Sequence, residues 1–226
     1  IGDKGVLLGT DVRFVVEDTR KQGNYHLHFG TVAEGSLARN VHVEAEVSDA
    51  QRRATMLNHS ATHLMHAALR QVLGEHVSQK GSLVNSNYLR FDFSHNKTVS
   101  DAEIEQIENL VNAQILANVD VQKRVMPIDD ARKLGAMALF GEKYGSEVRV
   151  VSMGSVGEGK TFSLELCGGT HVQRTGDIGF FRIVQESGIA AGVRRIEAVT
   201  GLNALARVRS NEHKLQQIAA LVKGSE

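Results

Sequence analysis

The sequence predicts an α+β fold in three parts: a small antiparallel, β-barrel-like region over residues 1–47, a sheet-and-helix domain over residues 48–201, and an amphipathic helix over residues 202–226. Two observations lead to this prediction. Apolar residues recur with a period of two before position 48 and with helical spacing directly after it. Strand-like and helix-like segments then follow one another up to residue 201, without an internal repeat.

The first part contains three strand-like segments. Residues 12–16 are β-branched and aromatic, residues 25–32 follow a Gln-Gly-Asn turn, and residues 41–47 alternate apolar and polar side chains. Alternation with a period of two is typical of a half-buried strand. We therefore expect a small antiparallel barrel or sheet here.

Two helices are indicated by their end signals. Ser48 with Gln51 resembles a capping box, and no glycine follows until Gly74, so we expect a helix of about 25 residues between them. Ser100 with Glu103 announces a second helix. The other predicted elements are a strand at 89–93, a short helix near 129–134, strands at 148–152, 163–166, 179–184 and 193–199, and the final amphipathic helix.

Composition excludes several classes of protein. No apolar run approaches the ~18 residues of a membrane span, so we expect no membrane partner. Cys167 is the only cysteine, which excludes an intramolecular disulfide and favours a reducing, cytoplasmic location. The 26 basic and 26 acidic residues cancel, so a polyanion would need a local basic patch. Because the chain starts at Ile1 without methionine, we expect a segment of a longer protein.

Two short motifs together predict a metal site. His59 and His63 are four residues apart, so both imidazoles lie on one face of the predicted helix. Cys167 and His171 are separated by two glycines and a threonine. Zinc binds thiolate and imidazole ligands tetrahedrally, and these four residues complete such a set. A zinc peptidase is excluded because Ser60 stands where its motif requires glutamate.

The residues around these motifs leave two questions open. His66 lies one turn beyond His63 and competes as a ligand, but we favour a supporting or surface role because four ligands are already present. Gly168 and Gly169 allow a tight turn, and their amide groups could bind an oxyanion. Four protein ligands are typical of a structural zinc, whereas a catalytic zinc keeps an open position.

At these residues the sequence resembles the editing domain of bacterial alanyl-tRNA synthetase. The similarity runs in order through nearly the whole chain. Editing domains of threonyl-tRNA synthetase share the two metal motifs but not the full set. The segments that carry the resemblance are residues 53–69, 79–82, 90–93, 167–171 and 191–201.

The resemblance implies a deacylase with a zinc centre. It implies hydrolysis of the ester that joins serine or glycine to the terminal adenosine of alanine tRNA, because an alanine pocket discriminates poorly against both. The same four residues, His59, His63, Cys167 and His171, would be zinc ligands and catalytic centre. The partners would be the charged tRNA and the remainder of the synthetase. No aminoacylation is expected from this chain.

The resemblance also assigns a substrate pocket. Thr62 borders the metal face of the helix, and Gln79 and Ser82 would offer an amide and a hydroxyl to a serine side chain, with Gly168 and Gly169 nearby. An ordinary capping or surface role is the alternative for each polar residue.

Basic residues are candidates for contacts to tRNA phosphates, because the acceptor stem must approach the metal site. Salt-bridged surface residues are the alternative. These candidates are Lys80, Lys143, Arg174, Arg182, Arg194 and Arg195.

Two other functions remain open. The chain could be a free-standing trans-editing protein of the same family, or a zinc-stabilised RNA-binding module without catalysis. A pocket beside the metal, lined by Thr62 and Gln79, would favour the hydrolase. Residues 154–160 form a glycine-rich insertion relative to the compact domain, and their spacing does not match a complete phosphate-binding loop.

Overall fold

A computed structural model describes residues 1–138, 144–157 and 159–222. These residues form a mixed α+β structure with three antiparallel sheets, which confirms the predicted class. The chain divides into two compact units, Ile1–Thr55 and Met56–Glu226. None of the described helices combines the length and the apolar character that a membrane crossing requires.

The first unit is an open sheet. Its strands pair antiparallel in the order β3-β2-β1-β4. The outer strands β3 and β4 do not pair with each other, so the barrel-like part of the prediction is wrong for the described chain. Four strands are too few to wrap around a core, since small barrels need about five to eight. The strands are β1 Gly5–Gly9, β2 Val12–Gln22, β3 Tyr25–Gly35 and β4 Glu44–Val47.

Burial in this sheet is limited to its middle. Val12 and Val16 of β2 are buried, whereas all four residues of β4 are exposed. The alternation at 41–47 therefore predicted the strand correctly but not its half-buried face.

The long helix α1 spans Asp49–Leu73, as the sequence predicts. At its start the carbonyl of Ser48 accepts a hydrogen bond from the N–H of Arg52 at 2.9 Å. At its end Gly74 has a φ of +115°, and its N–H donates to the carbonyl of Arg70 at 3.0 Å. Glycine tolerates this left-handed conformation and so ends the helix.

Two further sheets and three further α-helices complete the second unit. One sheet has the order β10-β11-β6-β5 and the other the order β7-β8-β9. The Ser100–Glu103 capping box at the start of α2 is confirmed, and a short 3-10 helix precedes β10. The elements are β5 Gln79–Val84, β6 Leu89–Ser94, α2 Asp101–Leu116, β7 Gln122–Pro127, α3 Ile128–Lys133, β8 Glu147–Met153, β9 Ser163–Leu166, β10 Phe181–Ala190, β11 Val193–Thr200 and α4 Gly201–Leu221.

The main core of this unit unites α1 with β6. Phe91 and Phe93 of β6 are fully buried and belong to the same hydrophobic cluster as one face of α1. The residues on that helix face are Ala61, Leu64, Met65, Ala68 and Leu69. Because the apolar stripe of α1 points into this cluster, the histidine stripe beside it is held in a fixed direction.

Strand β9 sends alternate side chains to two different clusters. Leu166 packs in a second cluster with Ala131 of α3. Glu165 and Cys167 flank Leu166, so they point in the opposite direction, and Cys167 packs against the main core. This alternation brings the cysteine to the histidine stripe of α1.

Candidate metal centre

The two predicted metal motifs meet in the folded chain. One donor atom from each of His59, His63, Cys167 and His171 lies within 4.8 Å of the other three. The Sγ atom of Cys167 is 3.5 Å from Nε2 of His59 and 3.3 Å from Nε2 of His171. A tetrahedral ion with bonds of ~2.0–2.3 Å requires a sulfur–nitrogen distance of about 3.6 Å. The four side chains can therefore hold a metal ion.

Different elements supply the four side chains. His59 and His63 project from one face of α1, with ring centroids 5.2 Å apart. Cys167 follows the end of β9, and His171 follows the glycine turn. The ring of His171 lies 4.2 Å from that of His59 and 5.0 Å from that of His63.

The outer nitrogens of the two helical histidines are already engaged. Nδ1 of His59 donates to the backbone carbonyl of Thr170 at 3.1 Å. Nδ1 of His63 donates to the Glu165 carboxylate at 2.7 Å. Nε2 of His63 is buried and has no hydrogen-bond partner among the described residues. Hydrogen bonds at Nδ1 leave the Nε2 lone pairs facing the centre, as metal-binding imidazoles require.

Ser60 engages the outer nitrogen of His171 in the same way. Its Oγ lies 3.3 Å from Nδ1 of His171 and accepts the backbone N–H of Val172 at 3.1 Å. Ser60 is fully buried. Ser60, which stands where a zinc peptidase would need glutamate, therefore supports His171.

The electrostatics of the cluster favour a thiolate. Burial by itself would raise the pKa of the Cys167 thiol, but hydrogen bonds with His171 and His59 lower that pKa to about 3. Burial lowers the pKa of His171 to about 4. For His63, the charge of Glu165 overcomes the opposing effect of burial and raises the pKa to about 10, so a metal ion that binds Nε2 has to displace a proton from it. The thiolate is the form of cysteine that binds metals.

The turn between the cysteine and His171 is fixed from two sides. Arg149 of β8 donates to the backbone carbonyls of Cys167, at 2.8 Å, and of Gly169. The N–H of Gly169 points to Sγ of Cys167 at 3.5 Å. A Cβ atom at Gly169 would lie 2.8 Å from Nδ1 of His59, whereas one at Gly168 would meet open space. Of the two glycines, only Gly169 is required by close packing.

Comparison with known proteins identifies relatives of this chain. The family described as "Threonyl and Alanyl tRNA synthetase second additional domain" matches residues 148–197. Alanine–tRNA ligases of Pseudomonas syringae pv. tomato and Pseudomonas savastanoi pv. phaseolicola are 60% and 59% identical to it over 225 residues. The chain corresponds to a segment of alanyl-tRNA synthetase. This confirms the resemblance stated from the sequence. All of this chain matches, but it spans only 25% of the length of each ligase.

His66 lies outside the four-residue cluster of this synthetase segment. Its side chain is 3% exposed, and Nδ1 donates to the second oxygen of Glu165 at 3.0 Å. Its ring packs against Phe91 with centroids 5.0 Å apart.

The predicted pocket residues occupy two elements. Thr62 is buried on α1, and its hydroxyl donates to the carbonyl of Asn58 at 2.8 Å. Gln79 and Ser82 lie on the edge strand β5, with Ser82 directly opposite Phe91 in the ladder. This pairing places Ser82 on the same face of the sheet as Phe91, but Ser82 itself is exposed.

All four arginines among the six predicted phosphate contacts are engaged in ion pairs. Arg174 pairs with Asp120 at 2.5 Å, Arg195 binds both oxygens of Asp92 at 2.7 and 2.8 Å, and Arg194 pairs with a glutamate of β10.

The other cationic candidates differ in their settings. Arg182 pairs with Glu108 at 2.7 Å, and Lys80 lies exposed on β5. Lys143 lies outside the described residues, as does Glu158 of the 154–160 insertion.

Three supporting residues escaped the sequence prediction. Glu165 carried a usable signal, because a strand residue two positions before Cys167 faces the same side. Ser60 and Arg149 carried none: Ser60 entered only as the residue that excludes a peptidase, and Arg149 reaches the turn across the sheet.

Proposed function

We propose that this chain is an editing deacylase that hydrolyses the ester between serine or glycine and the terminal adenosine of alanine tRNA. The observation that carries the proposal is the convergence of three imidazoles and one cysteine sulfur within 4.8 Å, in a chain 60% identical to alanine–tRNA ligase. The matched family is a domain of threonyl- and alanyl-tRNA synthetases, which supports editing of tRNA in general.

The donor set favours zinc as the metal. Thiolate combined with imidazole in a tetrahedral arrangement is typical of zinc sites. His59, His63, Cys167 and His171 would hold the ion. When bound, zinc supplies a Lewis acid that polarises or orients an oxygen atom in the pocket.

The histidines of the centre serve as ligands rather than as bases. Each Nδ1 is taken by a hydrogen bond to Thr170, Glu165 or Ser60, and each Nε2 faces the centre. A general base must be within hydrogen-bond reach of the water proton that it removes. We therefore assign no general base to these three imidazoles.

Selectivity would come from polar groups beside the centre. Gln79 and Ser82 can hydrogen-bond the hydroxyl of a bound serine, and Thr62 can do so from the helix side. A site that pairs with a hydroxyl favours serine over alanine, which lacks that group. Glycine also lacks the hydroxyl, so its deacylation does not depend on these contacts, and glycine would enter the pocket because it is smaller than alanine.

One structural observation favours a second candidate function. Four protein ligands complete a tetrahedral shell, which is typical of structural zinc. The chain would then be a zinc-stabilised RNA-binding module without catalysis.

The deciding experiment follows ester loss from seryl-, glycyl- and alanyl-tRNA mixed with the zinc-loaded chain. We expect rapid loss of serine and glycine, an intact alanyl ester, and slower deacylation of all substrates by the Cys167→Ala variant, whose zinc is bound less tightly. Bound tRNA with no ester loss would support the non-catalytic module. Equal hydrolysis of alanyl-tRNA would indicate an unselective esterase.

A further inference from the structure

Glu165 is a buried carboxylate shared by two histidines. Its side chain is only 2% exposed. One oxygen accepts the Nδ1–H of His63 at 2.7 Å, and the other accepts the Nδ1–H of His66 at 3.0 Å. Both oxygens therefore have an imidazole partner, as a buried carboxylate requires.

The two hydrogen bonds hold both oxygens of the carboxylate in place. If only His63 were present, the carboxylate could turn about its terminal bond and the imidazole could turn with it. His66 removes that freedom because it holds the second oxygen. His66 is fixed in turn, since its ring packs against Phe91 at 5.0 Å and its side chain is 3% exposed.

We propose that Glu165 and His66 form a positioning pair for the metal centre, in which His66 fixes Glu165 and Glu165 fixes the tautomer and direction of His63. The inference rests on the proposed zinc centre and assigns neither residue to the ligand set. The pair also keeps both carboxylate oxygens engaged, so Glu165 does not compete with Cys167 for the ion. Hydrogen-bond partners of metal-binding histidines typically contribute ~10–100-fold to metal affinity.

Three substitutions test the pair through zinc affinity, measured by competition with a chromophoric chelator. Glu165→Gln keeps the shape but offers one acceptor where two are needed, and we expect a ~10–100-fold weaker affinity. His66→Phe keeps the ring on Phe91 and removes the donor, with a smaller loss of about 10-fold expected. His66→Asn places an amide N–H near the former Nδ1 position and should restore affinity close to that of the parent chain.

Glu108→Gln is the matched control. Glu108 is also a buried carboxylate with two partners, the N–H of Ile183 at 2.6 Å and Arg182 at 2.7 Å. It has no contact with the metal centre among the described residues. Both glutamine variants should lower the unfolding temperature, but only Glu165→Gln should lower zinc affinity. The visible spectrum of the cobalt-substituted chains reports whether the tetrahedral site is distorted.

The outcomes separate this inference from the proposed function. Parent-like zinc affinity in Glu165→Gln, or an equal loss in Glu108→Gln, would overturn the positioning pair while leaving the centre in place. A parent chain that binds no zinc would overturn the centre and the pair together. If Glu165→Gln does not fold, the comparison of His66→Phe with His66→Asn decides. Equal zinc affinities of these two variants would overturn the positioning pair, and restoration of the affinity by asparagine would support it.

Discussion

Gly169 offers the sharpest test of the metal centre because its hydrogen atom faces a proposed ligand. A Cβ atom at this position would lie 2.8 Å from Nδ1 of His59 and closer still to Cε1. At neighbouring Gly168 an added Cβ meets nothing within 4 Å. The variants Gly169→Ala and Gly168→Ala therefore add the same methyl group to the same turn with different consequences.

The required displacement can be worked out from these distances. Ordinary van der Waals contact begins at 3.4 Å, so Nδ1 of His59 alone requires a movement of 0.6 Å (3.4 minus 2.8), and the closer Cε1 atom requires a larger one. Metal–ligand distances tolerate only about ±0.2 Å. In Gly169→Ala the imidazole must therefore leave the ligand position, and its hydrogen bond to Thr170 is strained as well.

Zinc affinity is the quantity to measure. We expect Gly169→Ala to bind zinc at least about 100-fold more weakly, since losing a ligand costs no less than losing a ligand's hydrogen-bond partner. Gly168→Ala should bind zinc as the parent does. Equal affinities of the two alanine variants would refute the assignment of His59 as a ligand in this geometry.

Three further predictions concern other parts of the chain. Gln79→Leu and Thr62→Val should slow deacylation of seryl-tRNA by ~5- to 150-fold, the effect of ~1–3 kcal/mol for an unpaired polar group, and should affect glycyl-tRNA less; equal slowing of both in single-turnover assays would reject serine recognition by these residues. Burial raises the pKa of Glu108 above its ordinary value, so the folded state binds this proton more tightly than the unfolded state does. The free energy of unfolding of the parent should therefore rise, relative to that of Glu108→Gln, as the pH falls through the folded pKa toward ~4.3. Urea titrations at several pH values measure this difference. Ser60→Ala should cost ~1–3 kcal/mol of unfolding free energy in the same assay, because the buried N–H of Val172 loses its acceptor; a change below ~0.5 kcal/mol, as at neutral surface sites, would contradict this.

The local elements of the fold could be predicted because their signals lie within a few residues. Helical spacing and Gly74 define α1, and strand β9 begins and ends where the pattern at 163–166 places it. Whether the first sheet closes into a barrel could not be predicted from such local signals. Alternation shows that a segment is a strand, but closure depends on whether two distant edge strands pair, and β3 and β4 do not.

The two pairs of candidate ligands could likewise be recognised in the sequence, because each pair is fixed by a local rule. A separation of four residues aligns His59 with His63 on a helix, and a glycine turn returns His171 to Cys167. That the two pairs would meet was an inference from zinc chemistry, and the structure brings their donor atoms within 4.8 Å. The acidic partners of the cations could not be predicted where they lie far away in the chain, as Asp92 does from Arg195.

The partners of the three histidines differ in charge, and this difference ranks the strength with which each imidazole is held. His59 donates to a neutral carbonyl and His171 lies beside a neutral hydroxyl, whereas His63 donates to the ionised Glu165. A hydrogen bond to an ionised acceptor is about twice as strong as a neutral one and makes the imidazole a better electron donor. His63 is therefore the imidazole held by the strongest hydrogen bond of the three. The residue that orients His63 lies one bond further out, and its sequence signal is indirect: Glu165 stands two positions before Cys167 and so faces the same side of the strand.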